Sequence, residues 1–298
     1  MNRADRKRAR LQELMRGPNP AIAVGAHDAM TAKLIGAHGF DAVWVSGLGV
    51  STMAHALPDL NLLTMTEALD AAVKIDRATD LPVIADCDNG FGGLLNVVRT
   101  AIEYEGAGIA AICIEDNLFP KRNSLYTGEA DRSLIPVHEQ ARRLRAAKAA
   151  QQTDDFMLIA RIESLIAGQG VEDACARADA YAEAGADAIL IHSRDRTLTE
   201  IEGFLGRWKG ARGLPLVAVP TLYPTFTAEE LHAKGFQLVI FANQTMRAAI
   251  GAIEGTLEVL ASERRPSAAD SRIVSVDHVF ELVDTKASIA LEDEISVS

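Results

Sequence analysis

Asp86 and Asp88 stand two residues apart where an apolar run, Val83-Ile84-Ala85, breaks into Asn89-Gly90. Acids so spaced at a fraying strand end can turn their carboxylates to one side. Glu115, which closes a second apolar run from Ala110 to Ile114, adds a third acid. Three carboxylates brought together repel one another strongly unless a cation sits among them. The set is hard and oxygen-only and lacks the imidazole or thiolate that zinc prefers, so the expected ion is Mg2+ held partly through water. The competing reading of Asp88-Asn89-Gly90 is an ordinary turn.

Beyond Glu115 the chain reads Asp116-Asn117-Leu118-Phe119-Pro120-Lys121-Arg122-Asn123-Ser124. Pro120 and this polar run cannot continue a strand, which predicts a surface excursion over about 116–136. Lys121 offers a charge, and Asn123 and Ser124 offer neutral donors suited to a phosphoryl or carboxylate group. Arg161 follows Ile159-Ala160 and carries a planar fork that suits the same groups; its plainer role is an ion pair with Glu163. His192 follows Ile189-Leu190-Ile191 and could donate to a ligand oxygen, move a proton, or serve as a structural hydrogen bonder. Ser46-Gly47-Leu48-Gly49 can turn backbone N–H groups toward an anion, although such sequences are common. Asp59, in Ala56-Leu57-Pro58-Asp59-Leu60-Asn61, is an ordinary turn residue on local grounds.

These residues need a frame. Helix ends closed by Gly and followed at once by β-branched runs recur at Gly39, Gly106, Gly185 and Gly235, and further strands are expected at Ala21 to Val24, Pro82 to Ala85, Met157 to Ala160 and Leu216 to Val219. Gly supplies the left-handed residue that ends a helix, and apolar runs without alternation read as strands buried on both faces. Eight strands alternating with helical stretches predict a (β/α)8 barrel, with an open doubly wound sheet as the weaker alternative. In a barrel the chemistry sits at the C-terminal strand ends, and polar residues gather there on six strands: Ser46, Asp86, Glu115, Arg161, His192 and Thr221. That coincidence favours an enzyme.

With 298 residues, 48% of them hydrophobic, the chain can bury one large core, so one barrel domain over 1–298 is expected, with a helical extension near 243–298. A net charge of −11 and the lack of a basic face interleaved with aromatics exclude nucleic acid as a natural partner. The basic run Arg3 to Arg10 reads as a solvated first helix. No apolar run is long enough to span a membrane and the N-terminus is charged, so the expected location is the cytoplasm. Cys87, Cys113 and Cys175 are too few and scattered for a disulfide framework and are expected in the core.

Taken together, Trp44 to Leu48, Asp86-Cys87-Asp88-Asn89-Gly90-Phe91-Gly92, Glu115 to Ser124, Ile159 to Gly168 and Asp187 to Ser193 resemble the phosphoenolpyruvate mutase and isocitrate lyase superfamily over nearly the full length. The mutase branch carries Glu-Asp-Lys, three residues, Lys, one residue, Asn-Ser. This chain matches that run except for Asn117 in place of the first Lys, a residue expected to support the charge network under the loop. The lyase branch carries a catalytic Cys in this loop, which is lacking here, so isocitrate-type cleavage is disfavoured. Phosphonopyruvate hydrolase usually has Thr at the position of Asn123, so Asn123 favours the mutase, which interconverts phosphoenolpyruvate and 3-phosphonopyruvate. A sensor barrel that binds a phosphorylated keto acid without turnover is a further alternative.

The resemblance implies that Asp86 meets Mg2+ directly and Asp88 and Glu115 do so through water. It implies that Trp44, Ser46, Gly47, Leu48, Asn123, Ser124, Arg161 and His192 surround the substrate and that Asp59 and Lys121 complete the catalytic shell. It also implies a loop that closes as a lid and a homotetramer that exchanges C-terminal helices.

Overall fold

A computed structural model describes residues 1–128, 132–208 and 213–296. Eight strands close into a parallel barrel in chain order, β1 (Ala21–Ala26), β2 (Ala42–Val45), β3 (Val83–Asp86), β4 (Ala111–Glu115), β5 (Met157–Ile162), β6 (Ala188–Ile191), β7 (Leu216–Ala218) and β8 (Phe236–Phe241). The open-sheet alternative is thereby set aside. All adjacent pairs are parallel, including β8 with β1.

The unbroken apolar strands divide by parity, because successive side chains leave a strand on opposite faces. Ile112, Ile114, Leu158, Ala160, Ile189 and Ile191 join the layer between barrel and helices. Ala111, Cys113, Met157, Ile159, Ala188 and Leu190 fill the interior, where Trp44, Ile84 and Ile240 join them. The helix α1 (Arg3–Arg16) closes the bottom, with Leu11 and Met15 packed into the interior cluster. The parity decides function, since continuing the inward set past each strand's apolar part reaches Ser46, Asp86, Glu115, Arg161, His192 and Thr221 at the open end.

The solvated reading of α1 is corrected. Lys7 and Arg8 are buried, Lys7 Nζ donating to Asp76 Oδ1 at 2.6 Å and Arg8 Nη2 to the Glu105 carbonyl at 2.5 Å. These basic residues fasten the plug to the barrel's underside, a use the local sequence does not reveal. Cys87 and Cys113 are buried as expected, while Cys175 is only half-buried.

The chain divides into two compact units, Met1–Met246 and Arg247–Ser298. The second includes the helices Val276–Leu282 and Thr285–Ser296, and it exposes Ile273, Val274, Val276, Phe280, Ile289 and Leu291. Among the described residues no helix is long and apolar enough to cross a membrane.

Candidate active site

The mouth of the barrel holds a cavity of about 550 Å³, open part included. From β2 come Trp44 and, just past its end, Ser46; the helix α3 (Gly47–His55) that follows adds Leu48. Ser46 caps α3, its Oγ accepting from Gly49 N at 3.1 Å. The first N–H groups of a helix have no partner within it and carry its positive end, so this terminus suits an anion. Gly47 brings the backbone close to the acids. A Cβ there would lie 3.2 Å from Asp86 Oδ2 and 3.4 Å from Asp88 Oδ1, so both carboxylates close on a backbone with no side chain to fend them off.

Asp86 and Glu115 line the cavity, whereas Gly47 and Asp88 face an adjoining recess that Asp59 and Asp86 share. Lys121, which lines the main cavity, reaches down from the loop to pair with Asp59 Oδ1 at 2.9 Å and to contact Asp88 Oδ1. Burial alone would lower the Lys121 pKa, but Asp59 and Asp88 hold it well above the ordinary ammonium range. Burial would likewise raise Asp59, but Lys121, Asn123 and Arg161 outweigh it in sum and keep Asp59 low. Asp59, an unremarked turn residue by local sequence, therefore sits within a buried ion cluster.

On the other wall, Glu115 and Arg161 are direct neighbours in the β4–β5 register, with Arg161 Nε 3.4 Å from Glu115 Oε2 and 2.6 Å from Glu163 Oε1. The expected ion pair with Glu163 thus forms, yet the fork is not used up. Its Nη2 donates to Ser124 Oγ at 2.8 Å and lies 3.2 Å from His192 Nδ1. Glu163 is held below the usual carboxylate range: burial would raise it, but Arg161, His192 and Ser124 act more strongly in sum. His192 is pushed below the ordinary imidazole value by burial, and its Nε2 has no hydrogen-bond partner among the described residues.

Whether these residues suit Mg2+ can be judged from the charges. Burial raises Glu115 to about 8 and Asp88 to about 6, despite the neighbouring Arg161 and Lys121. Glu115, which the protein's own cations leave protonated near neutrality, and Asp88, raised toward it, stand beside the cavity-lining Asp86 as an oxygen donor set in need of positive charge, and this fits a divalent cation. Among the described residues no three acids or imidazoles stand close enough to surround one ion unaided. The set therefore requires water as additional ligands.

The loop after β4 closes over this mouth. Its roots are joined: Leu118 N donates to the Ser133 carbonyl at 3.0 Å and Ile135 N to the Asp116 carbonyl at 2.8 Å, while Asn117 and Leu134 form an antiparallel bridge. Asp116 is fully buried, its Oδ1 accepting from Glu163 N at 2.9 Å and its Oδ2 from Tyr181 OH at 2.8 Å. Within the loop Asn123 Nδ2 donates to Asp59 Oδ2 at 2.6 Å and Ser124 Oγ to Glu163 Oε2 at 2.8 Å. Arg194 Nε caps the Ser124 carbonyl at 2.8 Å. Residues 129–131 of this expected lid lie outside the described residues.

Several participants escaped the sequence reading as site residues. Asn61 accepts from Lys121 N at 2.5 Å and donates to Asp88 Oδ2 at 3.0 Å, and Asn117 donates to Glu115 Oε1 at 3.0 Å. Glu163 was noted only as a partner for Arg161. Its inward parity with Arg161 was the available signal, whereas nothing local marks Asn61 or Arg194.

The family model described as phosphoenolpyruvate phosphomutase matches residues 11–261. The chain belongs to this family. Among its relatives is a phosphonopyruvate hydrolase from Variovorax sp. (strain Pal2), 41% identical over 274 residues, 91% of this chain and 92% of that one. A crystal structure of phosphoenolpyruvate phosphomutase from Streptomyces platensis subsp. rosaceus superposes with a TM-score of 0.92 at 42% identity, covering 96% of this chain and 98% of that one. A phosphonopyruvate hydrolase in complex with oxalate and Mg++ superposes with a TM-score of 0.89 at 37% identity, covering 96% and 98%. Family members are thus enzymes that share this barrel.

Proposed function

We propose that the protein is a Mg2+-dependent phosphoenolpyruvate mutase that interconverts phosphoenolpyruvate and 3-phosphonopyruvate. The observation that carries this reading is Asn123, placed by the lid over the cavity and bonded to Asp59. Moving a phosphoryl group from enol oxygen to carbon requires that the group be held while free of its carrier and shielded from water. Asn123 and Arg161 face the cavity from lid and strand and serve as donors to that group, and Ser124, which lines the cavity beside them, would join as a donor by releasing Glu163. His192 stands beside them, its Nδ1 3.2 Å from both Arg161 Nη2 and Glu163 Oε1, and its Nε2, without a hydrogen-bond partner among the described residues, is the ring nitrogen left for a ligand. The α3 N-terminus, with Ser46, Gly47 and Leu48, receives an anionic oxygen of the keto acid, and Trp44 packs beside it. Asp86, Asp88 and Glu115 would hold Mg2+, with water completing its ligands. Bound Mg2+ supplies the charge that stabilises negative charge developing on the pyruvyl oxygens. Lys121 and Asp59 join the closed lid to the acids beneath it.

The second reading is phosphonopyruvate hydrolase, favoured by the 41% identity to the Variovorax enzyme. A coupled assay that reports pyruvate separates the two. Catalytic release of pyruvate from phosphonopyruvate assigns the hydrolase; consumption without pyruvate supports the mutase, and no consumption leaves the binding barrel. For assembly and location we propose a cytoplasmic homotetramer in which the C-terminal helices are exchanged, consistent with the apolar residues that the second unit exposes.

A further inference from the structure

The wall of the cavity formed by β7 and β8 has a polar pair to which no role has yet been given. Asn243 lies just beyond β8, is 3% exposed, and lines the cavity together with Thr221. Its Nδ2 lies 3.4 Å from Thr221 Oγ1, and its Oδ1 has no hydrogen-bond partner among the described residues. A buried amide oxygen left unpaired costs about 1–3 kcal/mol, so this arrangement is poor unless something else completes it. Turning the amide about its last torsion lets the Thr221 hydroxyl donate to Oδ1 and puts Nδ2, with hydrogens to give, in the unpartnered place.

The backbone around Asn243 is built to bring it there. A Cβ on Gly25 in β1 would fall on the Ala242 carbonyl, so only glycine lets the chain leaving β8 lean this far across the barrel mouth. Thr245 Oγ1 then ties the turn back to the Gly25 carbonyl at 2.5 Å. The rest of this wall, Val219 and Ala242, is apolar. An isolated neutral donor on such a wall faces the charged groups of β3 to β6 across the cavity.

We infer that Asn243, held by Thr221, is a further substrate-binding residue, whose Nδ2 donates to an anionic oxygen of the keto acid. The inference rests on the proposed keto-acid chemistry of this site. It adds a contact from the side opposite Arg161 and would fix the substrate's orientation between two walls rather than against one.

Oxalate with Mg2+ is the probe for the carboxylate end, and phosphonopyruvate reports both ends. The expected loss in Asn243→Ala is about 10- to 100-fold, the worth of one hydrogen bond to a charged group. It appears as weaker Mg2+-dependent oxalate binding by calorimetry if the carboxylate is the partner. It appears as a raised KM for phosphonopyruvate with oxalate binding unchanged if the phosphoryl group is. Asn243→Asp distinguishes ligand contact from scaffolding. A carboxylate can still accept from Thr221, so a purely structural role makes Asp milder than Ala; a donor to an anion makes Asp the more damaging change. Should the Asp variant fail to fold, Thr221→Val supplies the second arm and is expected to weaken binding less than Asn243→Ala. Wild-type affinity and KM in Asn243→Ala overturn the inference. A wild type that binds no oxalate with Mg2+ instead overturns the keto-acid reading, and this subsite with it.

Discussion

Asn123 and Asp59 are 64 residues apart and joined by a 2.6 Å hydrogen bond, the lid amide donating to the carboxylate of the β2 side. The bond aligns a lid side chain with a fixed wall and leaves its position set before chemistry begins. Removing it by Asn123→Ala is expected to cost about 100-fold in isomerisation, the usual size for one transition-state donor. The residual turnover should shift toward pyruvate plus phosphate, because the shortened side chain admits water. Steady-state assays of both products check this, and an unaltered rate would remove Asn123 from the reaction.

The pH dependence follows from Glu115. Its carboxyl is raised to about 8 in the fold, so the folded state binds this proton more tightly than the unfolded chain does. That contribution to stability is present in full below the unfolded carboxyl value and is lost as pH rises through about 8. His192, shifted the other way, affects stability only below its ordinary 6.5, so a scan above that value reads Glu115 first, with Asp88 adding the same sign at its low end and the buried Cys87 and Cys113 at its high end. In EDTA the Tm should fall between about pH 6.5 and 9. Mg2+ should restore it increasingly as pH rises, since the ion and the proton compete for the same oxygens. A Tm in EDTA that rises over this window would contradict the raised carboxyl.

Asn117 stands where the family pattern has Lys and donates to Glu115 Oε1 at 3.0 Å. Asn117→Lys would bring an ammonium to Glu115, and an adjacent cation favours the charged carboxylate. The ascending limb of the pH–kcat/KM profile should therefore move to lower pH. An unmoved limb would mean that Glu115 does not govern it.

The closed lid is tied by Arg194, whose guanidinium caps the carbonyls of Ser124 and Tyr126. Trypsin cleavage after Arg122 should be slow in wild type and slower still with Mg2+ and oxalate. Arg194→Gln should speed it by about 10- to 100-fold, the worth of a lost bond from a charged donor. Equal cleavage in variant and wild type would show that Arg194 does not hold the lid.

The barrel could be read from the chain because each strand is a short apolar run closed by a polar residue, and the period-2 rule converts that pattern into a direction. Asp86, Glu115, Arg161 and His192 were legible for this reason. Asn61, Arg194 and Asn243 were not, since each acts through partners distant in sequence: Asn61 on Lys121, Arg194 on Ser124, Asn243 on Thr221. The same limit explains α1, whose Lys7 looks solvated until Asp76 is folded beneath it. Asp59 belongs with these; its partner Lys121 lies on the lid.

The most direct measurement is phosphorus NMR of the wild-type protein with Mg2+ and phosphonopyruvate. The phosphonate resonance should be replaced by that of phosphoenolpyruvate, because the equilibrium strongly favours the enol ester, with little inorganic phosphate. Stoichiometric inorganic phosphate from the wild type would contradict the mutase assignment and put the hydrolase in its place.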